Sequence, residues 1–123
     1  MVKSTNSVDE GKAVAVLSYL LIGIIWFFAD DKMRKNSFAK FHVQQALVLL
    51  IFSIAIAVLN AILGVIIGVI SLVTLGLGSV LVIIPTLIAL IPLVFWIFGV
   101  VYSLQGAEKE LPIIGKFGKK FKL

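Results

Sequence analysis

Between residues 43 and 105 the chain carries no Asp, Glu, Lys or Arg. This run of about 63 residues would make a helical rod of roughly 95 Å, about three times the thickness of a bilayer's hydrocarbon core. A soluble domain has no place for such a run, because a water-facing surface needs charged side chains. The run therefore crosses a membrane more than once, and the question is where it folds back. Helix propensity is lowest over 71–79 (SLVTLGLGS), where Thr74, Gly76, Gly78 and Ser79 gather. That break leaves spans over about 43–70 and 80–105, both long enough to tilt.

A third apolar segment, AVAVLSYLLIGIIWFFA, covers residues 13–29 and lies at the short end of what spans a bilayer. It is a poor signal peptide, because Phe27 stands where a small residue should precede the cleavage site. Read as a retained span, it puts Trp26, Phe27 and Phe28 at the interface, where aromatic rings favour the headgroup layer. Composition agrees with a membrane protein. Hydrophobic residues make up 61% of the 123 and charged residues 14%, against about 45–50% and 25% in soluble domains.

The expected fold is all-α, with three transmembrane helices over about 13–29, 43–70 and 80–105. A polar tail (1–12) precedes this domain, with Ser7 or Asp9 as candidate helix caps, and a basic tail (106–123) follows it. Four helices are the alternative, if three short ones occupy the charge-free run. Charge placement favours three. The two basic segments are the loop 30–42, with Lys32, Arg34, Lys35 and Lys40, and the tail, with Lys109, Lys116, Lys119, Lys120 and Lys122. Both belong on the cytoplasmic side of a cell membrane by the positive-inside rule, and that requires an even number of crossings between them. A spanning first helix then puts the N-terminus on the opposite side. The net charge of +5 needs no nucleic acid to explain it, since no RNA- or DNA-binding motif accompanies the lysines.

Polar and small residues inside a span are the informative ones, because a polar group there needs a partner. On the second span Gln45, Leu49, Ser53, Ala57, Asn60, Gly64 and Gly68 recur three or four apart, and His42 begins the same stripe. The stripe is either a polar lane or a packing face, in which Gly64 and Gly68 let backbones approach and Asn60 bonds a neighbouring helix. Packing is the commoner use. The third span holds Pro85 and Pro92, seven apart; each frees an upstream carbonyl, which Thr86 or a neighbouring helix can satisfy.

Catalytic signatures are missing. No ionisable carboxylate or amine lies within a span, and one histidine without cysteine makes no metal site of the His-rich or thiolate kind. Asp30 and Asp31 beside Lys32 and Arg34 read as a solvated turn. No enzyme, cofactor or metal is expected. The tail sets Ile113, Ile114, Phe117 and Phe121 beside Lys116, Lys119, Lys120 and Lys122, a pattern suited to an anionic lipid surface. Gly115 and Gly118 weaken a helix there.

The order of these features, with Phe38-x-x-Phe41-His42-x-x-Gln45-Ala46 leading into a long helix and Gly106-Ala107-Glu108 followed by Leu111-Pro112 at its exit, resembles a widespread family of small prokaryotic membrane proteins of unknown function. That family is distantly similar to the pore-associated subunit of the chloroplast inner-envelope import machinery. The resemblance implies a multi-pass fold in which Phe41, His42 and Gln45 form one motif and Gly106, Glu108 and Pro112 another. Leu111 replaces the aromatic residue more usual before the proline. The leading functional expectation is a non-enzymatic membrane scaffold or partner subunit, assembling with itself or another membrane protein. The alternative is a channel or protein-translocation component.

Overall fold

The computed structural model describes residues 5–123, with side chains from residue 7 onward. Helix α1 (Thr5–Ser18) is followed by α2 (Ile22–Ala29), a single turn α3 (Asp31–Arg34), the long α4 (Ser37–Val73) and α5 (Ile83–Leu104). Two 3-10 turns complete the chain, Leu77–Val82 leading into α5 and Gly115–Lys120 in the tail. Residues 1–4 lie outside the described part, and the rest of the expected polar tail is helical: Ser7 and Asp9 sit inside α1 and do not cap it.

The continuous span expected over 13–29 is not there. Ser18 turns its hydroxyl back onto the Ala15 carbonyl at 2.6 Å, offering the backbone a local alternative to the helical ladder. The ladder then tightens, with the amides of Leu20 and Leu21 bonding the carbonyls of Leu17 and Ser18. Leu21 adopts a left-handed φ of 69° and the chain reverses. Gly23 permits the reversal: a Cβ there would fall 2.2–2.5 Å from backbone atoms of Val14, Leu17 and Ser18, so α2 rests backbone to backbone on α1. The segment is a short helical hairpin, with arms of 14 and 8 residues. Among the described residues two helical stretches, not three, are long and apolar enough to cross a membrane: Ser37–Val73 and Leu77–Leu104.

Asn36 starts α4 by accepting the Ala39 amide at 3.0 Å. Its amide group also donates to the Ser7 carbonyl at 3.0 Å. The start of α1 therefore lies at the same end of the molecule as the loop 30–42, where a three-span chain would have set them on opposite sides. The second break falls inside the expected 71–79 window. The Thr74 hydroxyl donates to the Ile70 carbonyl and accepts the Gly78 amide, while Leu75 and Gly76 turn through positive φ.

Pro85 sits in the first turn of α5, where the amide it lacks has no helical partner, and Pro92 lies inside the helix. Thr86 bonds the Val82 carbonyl at 2.8 Å. Both prolines lie on the half-buried face that α5 turns to α4, with Leu81 and Ile88.

Burial divides the molecule in two. Every buried hydrophobic residue lies between 8 and 49 or between 95 and 114, in a base built from α1, α2, the lower turns of α4 and α5, and the tail. Beyond it α4 and α5 continue as a bare pair, and between residues 50 and 94 only Gly78 is buried. Val65, Leu72 and Leu75 are 69%, 81% and 95% exposed. Apolar surface on this scale marks a membrane contact. Residues 51–73 of α4 make about 35 Å of helix, enough to cross a hydrocarbon core of about 30 Å.

Candidate functional site

The first turns of α4 hold the base together, and the Phe-His-x-x-Gln motif is the centre of the arrangement. His42 is fully buried. Its Nε2 stands 2.8 Å from the Ala107 carbonyl, which can only accept, so Nε2 carries the proton. Nδ1 then accepts the Tyr19 hydroxyl proton, at 2.8 Å. One neutral imidazole thereby ties the α1–α2 turn to the exit of α5. Phe38, Phe41 and Tyr19 present ring edges or faces to it at 4.8, 5.2 and 5.8 Å, which excludes water and strengthens both bonds. Gly99 gives the Tyr19 ring its room, since a Cβ there would lie 2.3 Å from the ring.

One turn on, the Gln45 side chain behaves as an extra peptide group. Its Nε2 donates to the Gly115 carbonyl and its Oε1 accepts the Leu111 amide, both at 2.9 Å. Gln44 donates to the Phe121 carbonyl at 2.8 Å. The tail is thus ordered against α4. It is neither a free basic arm nor one amphipathic helix: Leu111 and Ile114 are buried, Phe121 is half-buried and Phe117 faces outward. Of the exit motif, Gly106 turns through φ 71° and packs on Val8, Glu108 is half-buried beside the carbonyl His42 holds, and Pro112 follows the core residue Leu111. The two motifs named from sequence are brought together.

The stripe expected along α4 is divided by the structure. Ser53 is half-buried and lines a cavity of about 450 Å³ with Tyr19, Leu49, Pro92 and Trp96. Asn60 donates to the Pro85 carbonyl at 3.0 Å, a bond between α4 and α5. Gly64 and Gly68 do not pack within the chain. Nothing lies within 4 Å of a Cβ built at either, and Ile56, Leu63 and Ile67 face α5 in their place.

Two contributors escaped the sequence reading. Trp96 donates its indole N–H to the Tyr19 carbonyl at 2.9 Å, bracing the α1–α2 turn against α5, and Asn36 joins the start of α1 to α4. A tyrosine and a tryptophan inside apolar stretches were the available signal, because each carries a polar group that needs a partner.

Lys116, Lys119, Lys120 and Lys122 are exposed, with Lys116 and Lys120 placing Nζ 5.4 and 5.1 Å from the centre of the Phe117 ring. Among the described residues no group of three His, Asp or Glu could hold a metal ion.

These features define a class: a helical membrane protein in which an apolar two-helix hairpin is rooted in a base stitched by buried hydrogen bonds. Residues 10–118 match the magnetosome magnetite crystal formation protein family, MamF/MmsF, and the chain belongs to that family. It is a family of small membrane proteins, as the resemblance drawn from sequence implied, but nothing links the chain to the chloroplast import component. No curated protein and no solved structure matches the chain.

Proposed function

We propose that the protein is a non-catalytic scaffold of the membrane in which magnetite crystals form, acting through assembly of its hairpin within the bilayer. The carrying observation is the contrast in how polar and small residues are used. In the base, His42 and Gln45 are buried and engaged with the chain itself, leaving neither accessible for chemistry. On the hairpin Ala57, Ala61, Gly64 and Gly68 lie three or four apart and face outward, open to the backbone of a second helix. Close approach at such small residues is a common way for membrane helices to associate.

Charge placement supports the orientation. Every charged side chain belongs to residues 1–40 or 108–122, so the base is the cytoplasmic end by the positive-inside rule. The turn after α4 then faces the crystal compartment. It offers hydroxyls and carbonyls but no carboxylate to bind iron or mineral, which favours an indirect role in crystal formation. A channel or translocation role finds less support, because Asn60 is bonded to Pro85 and apolar Ile56 and Leu63 flank it on the face toward α5.

The test is oligomer size in mild detergent and in nanodiscs. Gly64→Leu and Gly68→Leu should shift the protein to monomer while changing its thermal unfolding by no more than about 0.5 kcal/mol, as surface substitutions do. An unchanged oligomer in both variants, or a monomeric wild type, would contradict the scaffold reading.

A further inference from the structure

A second apolar feature lies where the tail meets α4. Val48, Phe52 and Ala55 of α4 and Ile114, Phe117 and Phe121 of the tail enclose a groove of about 300 Å³. Its upper end opens beside Ala55, on the bare hairpin. On its tail side stands the exposed Phe117, over which Lys116 and Lys120 extend their ammonium groups. None of the four tail lysines is in an ion pair among the described residues, whose salt bridges are Lys32–Glu10 and Arg34–Asp31. No Asp or Glu occurs from residue 111 to residue 123. The groove is thus apolar along α4 and cationic at its tail edge, the pairing a membrane lipid with a negative headgroup would match.

We infer that this groove holds one acyl chain of an anionic phospholipid, with its phosphate on Lys116 and Lys120. The inference rests on the reading that the base meets the membrane interface, and it goes further than a basic surface: it assigns a site for an individual lipid. Lipid tails are as apolar as the groove, so transfer into it gains no hydrophobic energy. Selection comes from the lysines, and the groove fixes the headgroup over them. Gln45 and Gln44 hold the tail in position by its backbone, so the site is present before lipid arrives.

The experiment is native mass spectrometry of the full chain released from nanodiscs containing phosphatidylglycerol and phosphatidylcholine in equal amounts. The wild type should retain one phosphatidylglycerol. Lys116→Gln with Lys120→Gln should lower its retention about thirty-fold, taking about 1 kcal/mol per lysine near an anionic surface. Ala55→Trp, at an exposed position, should fill the groove and lower retention several-fold with all lysines intact. Retention lost in the lysine variant but untouched by Ala55→Trp would overturn the site and leave a plain electrostatic surface. No preference for phosphatidylglycerol in the wild type would overturn both.

Discussion

The base and the hairpin are built from one continuous pair of helices, yet they are specified in different ways. In the base, separate pieces of chain are tied to α4 by polar contacts, four of them buried, Tyr19 and Ala107 to His42 and Leu111 and Gly115 to Gln45, and two part-buried, Phe121 to Gln44 and Ser7 to Asn36. Around those contacts sit the hydrophobic clusters of Val14, Phe27 and Val43 and of Tyr19, Leu49, Phe95 and Leu111. In the hairpin two helices lie side by side with one side-chain bond between them, Asn60 to Pro85. Lipid is as good a solvent for leucine as another leucine, so apolar contact alone does not fix one helix against another in a bilayer. The difference teaches that buried hydrogen bonds define the base, while the hairpin is left free to choose partners.

The comparison would be broken most forcefully at His42. His42→Leu removes a buried side chain with both its bonds and leaves the Tyr19 hydroxyl and the Ala107 carbonyl unsatisfied. A loss of about 3–5 kcal/mol is expected from unpaired polar groups and lost ring packing together, read as detergent unfolding and as faster proteolysis of the tail. A loss below about 1 kcal/mol would mean that the base does not depend on this contact.

A smaller effect is expected in the hairpin. Asn60→Leu deletes one interhelical bond and should cost about 0.6–2 kcal/mol, with the base still protected from protease. If it instead destabilises as much as His42→Leu, the two regions are not specified differently. The glycine substitutions, with almost no effect on the isolated chain, mark the lower end of the series.

Much of the architecture was legible. The charge-free run and its weak stretch located the hairpin and its turn, because charge cannot be hidden in lipid and glycine-rich segments do not hold a helix. The pairing of Phe41, His42 and Gln45 with Gly106, Glu108 and Pro112 was visible as motif order. The α1–α2 turn was not, because an uncharged stretch of 17 residues reads alike whether it spans or doubles back. The deciding contacts, Gly23 on α1 and Trp96 on Tyr19, join residues whose proximity no periodicity reveals. Which partner Gly64 and Gly68 would meet was not legible for a similar reason. Spacing identifies which residues share a face, and only the packing of α5 shows that Ile56, Leu63 and Ile67 take the inner one.

The central claim is that a base gathered at one membrane surface roots a hairpin that crosses twice. The chain has no cysteine, so single cysteines can replace Asp9, Lys35, Ser79 and Lys122, all exposed, and be labelled in sealed vesicles with an impermeant maleimide. The account predicts that Asp9, Lys35 and Lys122 react from one side and Ser79 from the other. Labelling of Asp9 from the side opposite to Lys35 would show that residues 13–29 span the membrane, and would contradict it.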